Sequence, residues 1–98
     1  MEWYKFVAYG MRNNPDGLDK ITEFLKELIK KYDDGLLDNH PLYKQEKNND
    51  VVIYFSSQNS KIIEEFINKY NATPCDKPSA ARAEGDGALT LIWGFKKS

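Results

Sequence analysis

Two segments with helical periodicity separate the strand-like runs of this chain, and their order limits the possible folds more than any other feature. In both segments apolar residues recur at the spacing that places them on one face of an amphipathic helix. The first helix is predicted over residues 17–32, where Asn14 or Asp16 can cap it. The second is capped by Asn59 or Ser60 and stops near Asn71. The apolar stripes are Leu18, Ile21, Leu25, Leu28, Ile29 and Tyr32, and then Ile62, Ile63, Phe66, Ile67 and Tyr70.

Four runs have strand character. Residues 3–9, WYKFVAY, and residues 51–57, VVIYFSS, are rich in the aromatic and β-branched residues that strands favour. Residues 42–47, LYKQEK, form a weaker amphipathic strand, and the polar turn at 48–50 joins it to 51–57 as a hairpin. The run ALTLIWGFK, residues 88–96, is predicted as the final strand.

The order strand, helix, hairpin, helix, strand predicts an α+β fold of the ferredoxin-like split βαβ type, written βαββαβ. We expect a four-stranded antiparallel sheet with two helices on one face. The first and third strands would be central, and the first would also pair with the last. A chain of 98 residues is predicted to form a single domain, residues 1–98, with one long loop at 72–87.

The alternation of side chains along a strand assigns each predicted strand two faces. The more apolar set is predicted to face the helices: Tyr4, Phe6, Ala8, Val51, Ile53, Phe55, Leu89, Leu91, Trp93 and Phe95. The opposite, open face would carry Trp3, Lys5, Val7, Tyr9, Val52, Tyr54, Ser56, Thr90 and Ile92. Because exposed apolar patches of this kind mark interfaces or ligand grooves, the open face is the predicted functional surface.

The leading hypothesis is a small, non-enzymatic binding protein that acts by non-covalent association through the open face. It would associate with itself as a homo-oligomer or hold a protein partner, as an accessory, sensor or inhibitor protein does. The 72–87 loop would form a lid or rim, with Arg82 available to an anion. The predicted binding residues are Trp3, Lys5, Tyr9, Arg12, Tyr54, Arg82 and Ile92.

Single-stranded RNA or nucleotide binding is the first alternative, because the aromatic side chains of such a face can stack on bases. The third strand, NNDVVIYFSS, lacks the basic and glycine-rich run of RNA-recognition modules, so only the architecture resembles theirs. A formal net charge of −1 gives no basic excess, and duplex DNA is not an expected partner.

An acylphosphatase-like enzyme is the catalytic alternative on this architecture. The loop after the first strand, GMRNNPDG, offers Arg12 and a helix start to a phosphate group. Pro15 removes one backbone donor there, and Asp16 and Asp19 bring negative charge to the same place.

The remaining polar residues do not form a recognisable metal or cofactor site. The chain has one histidine, His40, and one cysteine, Cys75, which together cannot provide a zinc site. The acidic cluster Asp33, Asp34, Asp38 and Asn39 lacks the ligand spacing of a calcium loop. We therefore expect no metal, no cofactor and no catalytic residues. No run is apolar enough for a signal peptide or a membrane span, and a cytoplasmic location is expected.

Overall fold

The computed structural model describes residues 2–33, 36–79 and 85–94. It is an α+β structure with two helices and a five-stranded antiparallel sheet. The predicted sheet of four strands is therefore corrected to five. The elements are β1 (Trp3–Ala8), α1 (Pro15–Tyr32), β2 (Leu42–Lys47), β3 (Asp50–Ser56), α2 (Ser60–Tyr70), β4 (Thr73–Cys75) and β5 (Thr90–Trp93).

Local sequence signals account for where the helices begin and end. The Asn14 side chain accepts a hydrogen bond from the Gly17 amide and caps α1, which begins at Pro15. The Asn59 side chain accepts from the amides of Lys61 and Ile62 at the start of α2. Asn71 ends α2 in the left-handed conformation, as predicted.

The sheet order is β4-β1-β3-β2-β5, and every neighbouring pair is antiparallel. The prediction that the last strand pairs with the first is wrong. The last strand pairs with β2 at one edge, and the short strand Thr73–Cys75 takes the place beside β1 at the other edge. Pro74 is tolerated in β4 because an edge strand can spare one backbone donor.

The predicted sidedness of β1 and β3 is confirmed. Their helix-side residues share one core with residues of α1 and α2, among which Leu25, Ile29 and Phe66 are fully buried. The Phe6 ring also stacks on Tyr70 with ring centroids 4.4 Å apart.

The predicted sidedness of the last strand is wrong at four residues. Thr90, expected on the open face, lies opposite Lys44, which pairs with the helix-side residue Ile53. Ile92 packs into the helix-side core, although it was expected on the open face. Leu89 packs with Trp3 on the other face, and Leu91 lies opposite Tyr43 of β2. An irregularity in the β2–β5 pairing interrupts the alternation that the prediction assumed. Trp93 keeps its predicted side, and Phe95 lies outside the described residues.

The helix-free face is not open along its whole length. Trp3, Val52 and Tyr54 form a second buried cluster on this face, with exposed fractions of 7%, 4% and 5%. The chain must pass from β4 at one edge to β5 at the other, and described residues of this connection, 76–79 and Leu89, lie beside Tyr54. The described parts of the connection between β4 and β5, residues 76–79 and 85–89, therefore lie against the face that was predicted to be uncovered.

The end of the connection is attached to β2 by backbone and side-chain contacts. The Gly87 amide donates to the Glu46 carbonyl, and Gln45 Nε2 donates to the Gly87 carbonyl. A side chain at Gly85 would place its Cβ only 2.2 Å from the Glu46 carbonyl oxygen, so the close approach requires glycine. Part of the 72–87 loop is thus ordered as β4 and as this attachment.

Neither helix in the described part of the chain is long and apolar enough to cross a membrane.

Candidate functional site

A cavity of about 670 Å³ lies at one end of the helix-free face, where β1 and β2 begin and β4 ends. Its apolar wall consists of Trp3, Pro41, Tyr43, Pro74, Cys75 and Leu91. These residues come from four strands and from the segment before β2, so the cavity exists only because the sheet brings their ends together. Protein cavities that bind small molecules have volumes of roughly 300–1,000 Å³, and this one falls within that range.

Two aromatic rings form part of the apolar wall. The rings of Trp3 and Tyr43 have centroids 5.7 Å apart and are inclined at 53°. Trp3 and Cys75 are directly opposite each other in the β1–β4 pair, which places the thiol beside the indole. An inclined aromatic pair offers large apolar contact area with little loss of conformational entropy when a ligand binds.

The polar wall of the cavity is predominantly acidic. Among the polar residues that line it are three acidic ones, Glu2, Asp38 and Asp76, and one lysine, Lys77. Burial raises the pKa of the Tyr4 phenol, and the neighbouring charge of Glu2 raises it further. The Tyr4 hydroxyl donates to Glu2 Oε1 at 3.3 Å, so the Glu2 carboxylate is directed toward the helix side of β1, where Tyr4 packs. The cavity therefore joins an aromatic surface to negative charge.

A second, smaller cavity of about 250 Å³ adjoins the first beneath the connection between β4 and β5. The two cavities share the segment from Pro74 to Lys77, and the smaller one is also lined by Lys5 and Tyr54. The Tyr54 hydroxyl donates to Gln45 Oε1 at 3.3 Å.

A buried polar cluster lies behind the first cavity. His40 is only 1% exposed, and its Nδ1 and Nε2 atoms lie 2.7 Å from Ser57 Oγ and 2.7 Å from Asp33 Oδ2. These are the residue types of a catalytic triad, which the sequence analysis did not identify. Ser57 is itself buried, and its oxygen already accepts the Asn59 amide. Neither cavity of the helix-free face is lined by Ser57 or His40. The cluster therefore joins the end of α1 to the start of α2, and its hydrogen bonds are satisfied within the chain.

The predicted binding residues do not form one surface. Trp3 lines the first cavity, Lys5 and Tyr54 line the second, and Tyr9 is 79% exposed. Ile92 lies on the helix side, and Arg82 lies outside the described residues.

Arg12, the predicted phosphate-binding residue, is held by acidic partners instead. Its Nη1 atom donates to Asp86 at 2.8 Å and to the Asn48 carbonyl at 2.7 Å, and its Nε atom lies 3.5 Å from Glu46 Oε1. The bond from Arg12 lowers the pKa of the Asp86 carboxyl, and the pKa of Arg12 is raised in return. An external phosphate would have to compete with both carboxylates.

Sequence reasoning missed Tyr43, Leu91 and Asp38 as site residues. Tyr43 belongs to the weakest predicted strand, and its alternation with Leu42 and Lys44 was the available signal. Asp38 was assigned only to an acidic cluster. Its place beside the cavity depends on the short 3-10 turn Leu37–Asn39, which the sequence pattern did not indicate.

The sequence matches no protein-family model, and no curated protein and no solved structure is significantly similar to it. Within residues 2–33, 36–79 and 85–94, no group of three or more His, Cys, Asp or Glu side chains is arranged to hold a metal ion.

Proposed function

We propose that this protein is a non-enzymatic binding protein that holds a small, partly apolar ligand in the cavity beside Trp3 and Tyr43. The observation that carries the proposal is the cavity itself, about 670 Å³ in volume with two aromatic rings in its wall. Convergent polar groups beside an apolar surface are what a cavity needs to orient a ligand as well as to bury it.

The proposal moves the binding site from the centre of the helix-free face to its end. Tyr54 was expected to contact a partner, but only 5% of its surface is exposed. Ile92, the other residue of the expected homo-oligomer contact, packs toward the helices. Self-association through these two residues therefore has no support from their positions, whereas Trp3 retains its predicted part in binding.

We also propose that the fold is a ferredoxin-like arrangement to which one strand has been added. The order of elements up to β4 is βαββαβ, and β4-β1-β3-β2 is the matching strand order. In this interpretation β5 extends the sheet beyond β2. The added strand supplies Leu91 to the cavity, so the additional element and the binding site are linked.

The two alternatives from the sequence receive less support. Base stacking needs several exposed rings on one surface, and Tyr54 is buried while Tyr9 lies at the far end of β1 from Trp3. Phosphate handling by Arg12 would require its release from Asp86 and Glu46.

Nuclear magnetic resonance titration with benzyl alcohol, a neutral aromatic probe, tests the proposed function. We expect the largest amide shifts at Trp3, Tyr43 and Leu91, and we expect Tyr43→Ala to abolish saturation. Tyr9→Ala is the matched control, because it removes an exposed ring that lines neither cavity of the helix-free face. Shifts that are absent, or that Tyr9→Ala removes and Tyr43→Ala does not, would refute the proposal.

A further inference from the structure

We propose that a second ligand site lies on the helix side of the sheet, and that it takes a small, neutral, largely apolar compound with one carbonyl oxygen, such as an aryl ketone. The site is a cleft of about 500 Å³ between β1, the loop after it, α1 and the end of α2. It shares no lining residue with the cavity beside Trp3 and Tyr43, the main cavity. The two proposals can therefore fail independently.

The cleft lies where the shorter helix ends. α2 has 11 residues and α1 has 18, and α2 ends at Tyr70, where Asn71 turns the chain in the left-handed conformation. Phe6 and Ala8, on the helix side of β1, form the floor of the cleft. This floor gives a ligand apolar surface to bury.

One face of α1 and the loop after β1 form further walls. Gly17, Ile21 and Phe24 occur at helical spacing along α1 and line the cleft. A Cβ at Gly17 would overlap Met11 Sδ, so the thioether packs directly against the backbone of α1. Because methionine is flexible and polarisable, the wall that Met11 contributes can adapt to the shape of a ligand.

The ring of Tyr70 is fixed in position by three other aromatic rings. It stacks on Phe6 with ring centroids 4.4 Å apart, and it meets Phe24 and Phe66 edge-on at 5.7 Å and 5.6 Å. Its hydroxyl is therefore held in place before a ligand arrives, which lowers the entropy cost of binding.

The Tyr70 hydroxyl has no hydrogen-bond partner among the residues that the structure describes. Burial raises its pKa to about 12, with no contribution from a hydrogen bond or a neighbouring charge, so the group keeps its proton at neutral pH. No side-chain oxygen in this part of the chain is both unpartnered and sealed, so the Tyr70 oxygen keeps accessible surface. A partly desolvated donor of this kind gains a hydrogen bond from a ligand that brings an acceptor.

The charges around the cleft favour a neutral ligand. Asp16, Lys20 and Lys69, the charged residues that line it within the described part of the chain, are all exposed. Lys69 also lies over the Phe24 ring, 5.2 Å from the centroid. An ionic ligand would therefore have no buried counter-charge. A carbonyl oxygen accepts from the phenol and costs much less to remove from water than a carboxylate.

Acetophenone and α-methylstyrene, which carry a carbonyl and a methylene group at the same position, test the inference by nuclear magnetic resonance titration. We expect both compounds to cause saturable shifts of the Phe24, Lys69 and Tyr70 amides. Tyr70→Phe keeps the ring and removes the hydroxyl, so it should weaken acetophenone about two- to tenfold and leave α-methylstyrene unchanged. Tyr9→Phe is the matched control, because it removes an exposed hydroxyl that does not line the cleft. It should change the binding of neither compound.

The binding of α-methylstyrene shows whether the cleft of Tyr70→Phe is intact, so a loss confined to acetophenone assigns the effect to the hydroxyl. Equal weakening of the two compounds, or unchanged binding of acetophenone, would overturn the inference. Absence of saturable shifts at the cleft in the wild type would overturn it as well.

The infrared carbonyl stretch of isotope-labelled acetophenone reports the hydrogen bond directly. It should lie at lower frequency in complex with the wild type than with Tyr70→Phe, and equal frequencies would overturn the inference. None of these outcomes decides the proposed function, because the titration of the main cavity with benzyl alcohol is followed at Trp3, Tyr43 and Leu91.

Discussion

Arg12 and Asp86 form an ion pair, with 2.8 Å between Nη1 and Oδ2, although the two residues are 74 positions apart in the chain. The pair joins the loop after β1 to the connection between β4 and β5. The same guanidinium also donates to the Asn48 carbonyl in the β2–β3 turn. Three separate segments meet at one side chain, and the connection is attached there at the end of the sheet opposite the main cavity.

Removing this ion pair should loosen the attached end of the connection. In Asp86→Asn we expect faster hydrogen exchange at the Gly87 amide, whose bond to the Glu46 carbonyl lies next to the lost contact. Asp19→Asn is the matched control on the exposed surface of α1. Unchanged exchange at Gly87 in the Asp86 variant would show that the ion pair does not hold the connection.

The same ion pair predicts how the stability of the fold changes at acidic pH. Arg12 lowers the pKa of Asp86 in the folded chain, so this carboxyl stabilises the fold above its ordinary value near pH 3.8. That contribution is lost as the pH falls through the lowered pKa. Urea unfolding of the wild type and of Asp86→Asn at pH 7 and pH 3 measures it. The difference in stability between the two proteins should be smaller at pH 3, and a larger difference there would contradict the assignment.

The phenol of Tyr70 should make the fold less stable as the pH rises into the alkaline range, whereas the Asp86 carboxyl does so as the pH falls. Burial raises the pKa of its phenol to about 12 from the ordinary value of 10.0. Between these values the folded chain keeps a proton that the unfolded chain releases, so the stabilisation is complete below pH 10 and is lost as the pH approaches 12. Tyr70→Phe keeps the ring stacked on Phe6 and should lose less stability between pH 9 and pH 11 than the wild type. An equal loss would contradict the predicted burial of this phenol.

His40 should contribute to stability through its two partners. His40→Ala removes the buried contacts with Ser57 Oγ and Asp33 Oδ2 and is expected to lower the free energy of unfolding by about 1–3 kcal/mol. Asn39→Ala, at the exposed neighbouring position, should change it by less than about 0.5 kcal/mol. Thermal and urea unfolding measure both values. Equal stability of the two variants would show that the Asp33–His40–Ser57 cluster is not a structural element.

Alanine substitutions at Tyr54 and Tyr9 test whether the connection covers the helix-free face. Tyr54→Ala removes a ring that is only 5% exposed and should cost about 3 kcal/mol, whereas Tyr9→Ala removes one that is 79% exposed and should cost less than about 0.5 kcal/mol. Urea unfolding of both variants gives the comparison. A small effect at Tyr54 would restore the uncovered face that the alternation of the strands predicted.

The features of the fold that depend on local signals could be predicted from the sequence. Asn14 and Asn59, each one of two predicted capping residues, cap the helices, and the alternation in β1 and β3 correctly identifies the face that the helices cover. These features depend on residues within a few positions of one another. Periodicity and capping are therefore enough to predict them.

Features that depend on distant parts of the chain were not predictable in this way. A three-residue strand that contains Pro74 has no alternation to recognise, so β4 and its place beside β1 were missed. The irregularity near Leu42 and Tyr43 moves Ile92 to the helix side, and only the paired strand determines it. The cavity was missed because Tyr43, Leu91 and Asp38 come together only when the sheet edge and the turn before β2 are in place.

Hydroxyl-radical footprinting of the tyrosine rings, with and without benzyl alcohol, tests the central claim most directly. In the protein alone, Tyr9 should be oxidised rapidly and Tyr54 slowly, because the connection covers Tyr54 and leaves Tyr9 exposed. Benzyl alcohol should lower the oxidation of Tyr43 relative to Tyr9, which serves as the internal reference because benzyl alcohol also scavenges radicals. A Tyr54 ring as reactive as Tyr9, or a ratio of Tyr43 to Tyr9 oxidation that benzyl alcohol leaves unchanged, would contradict the claim that a covered sheet face ends in a ligand-binding cavity.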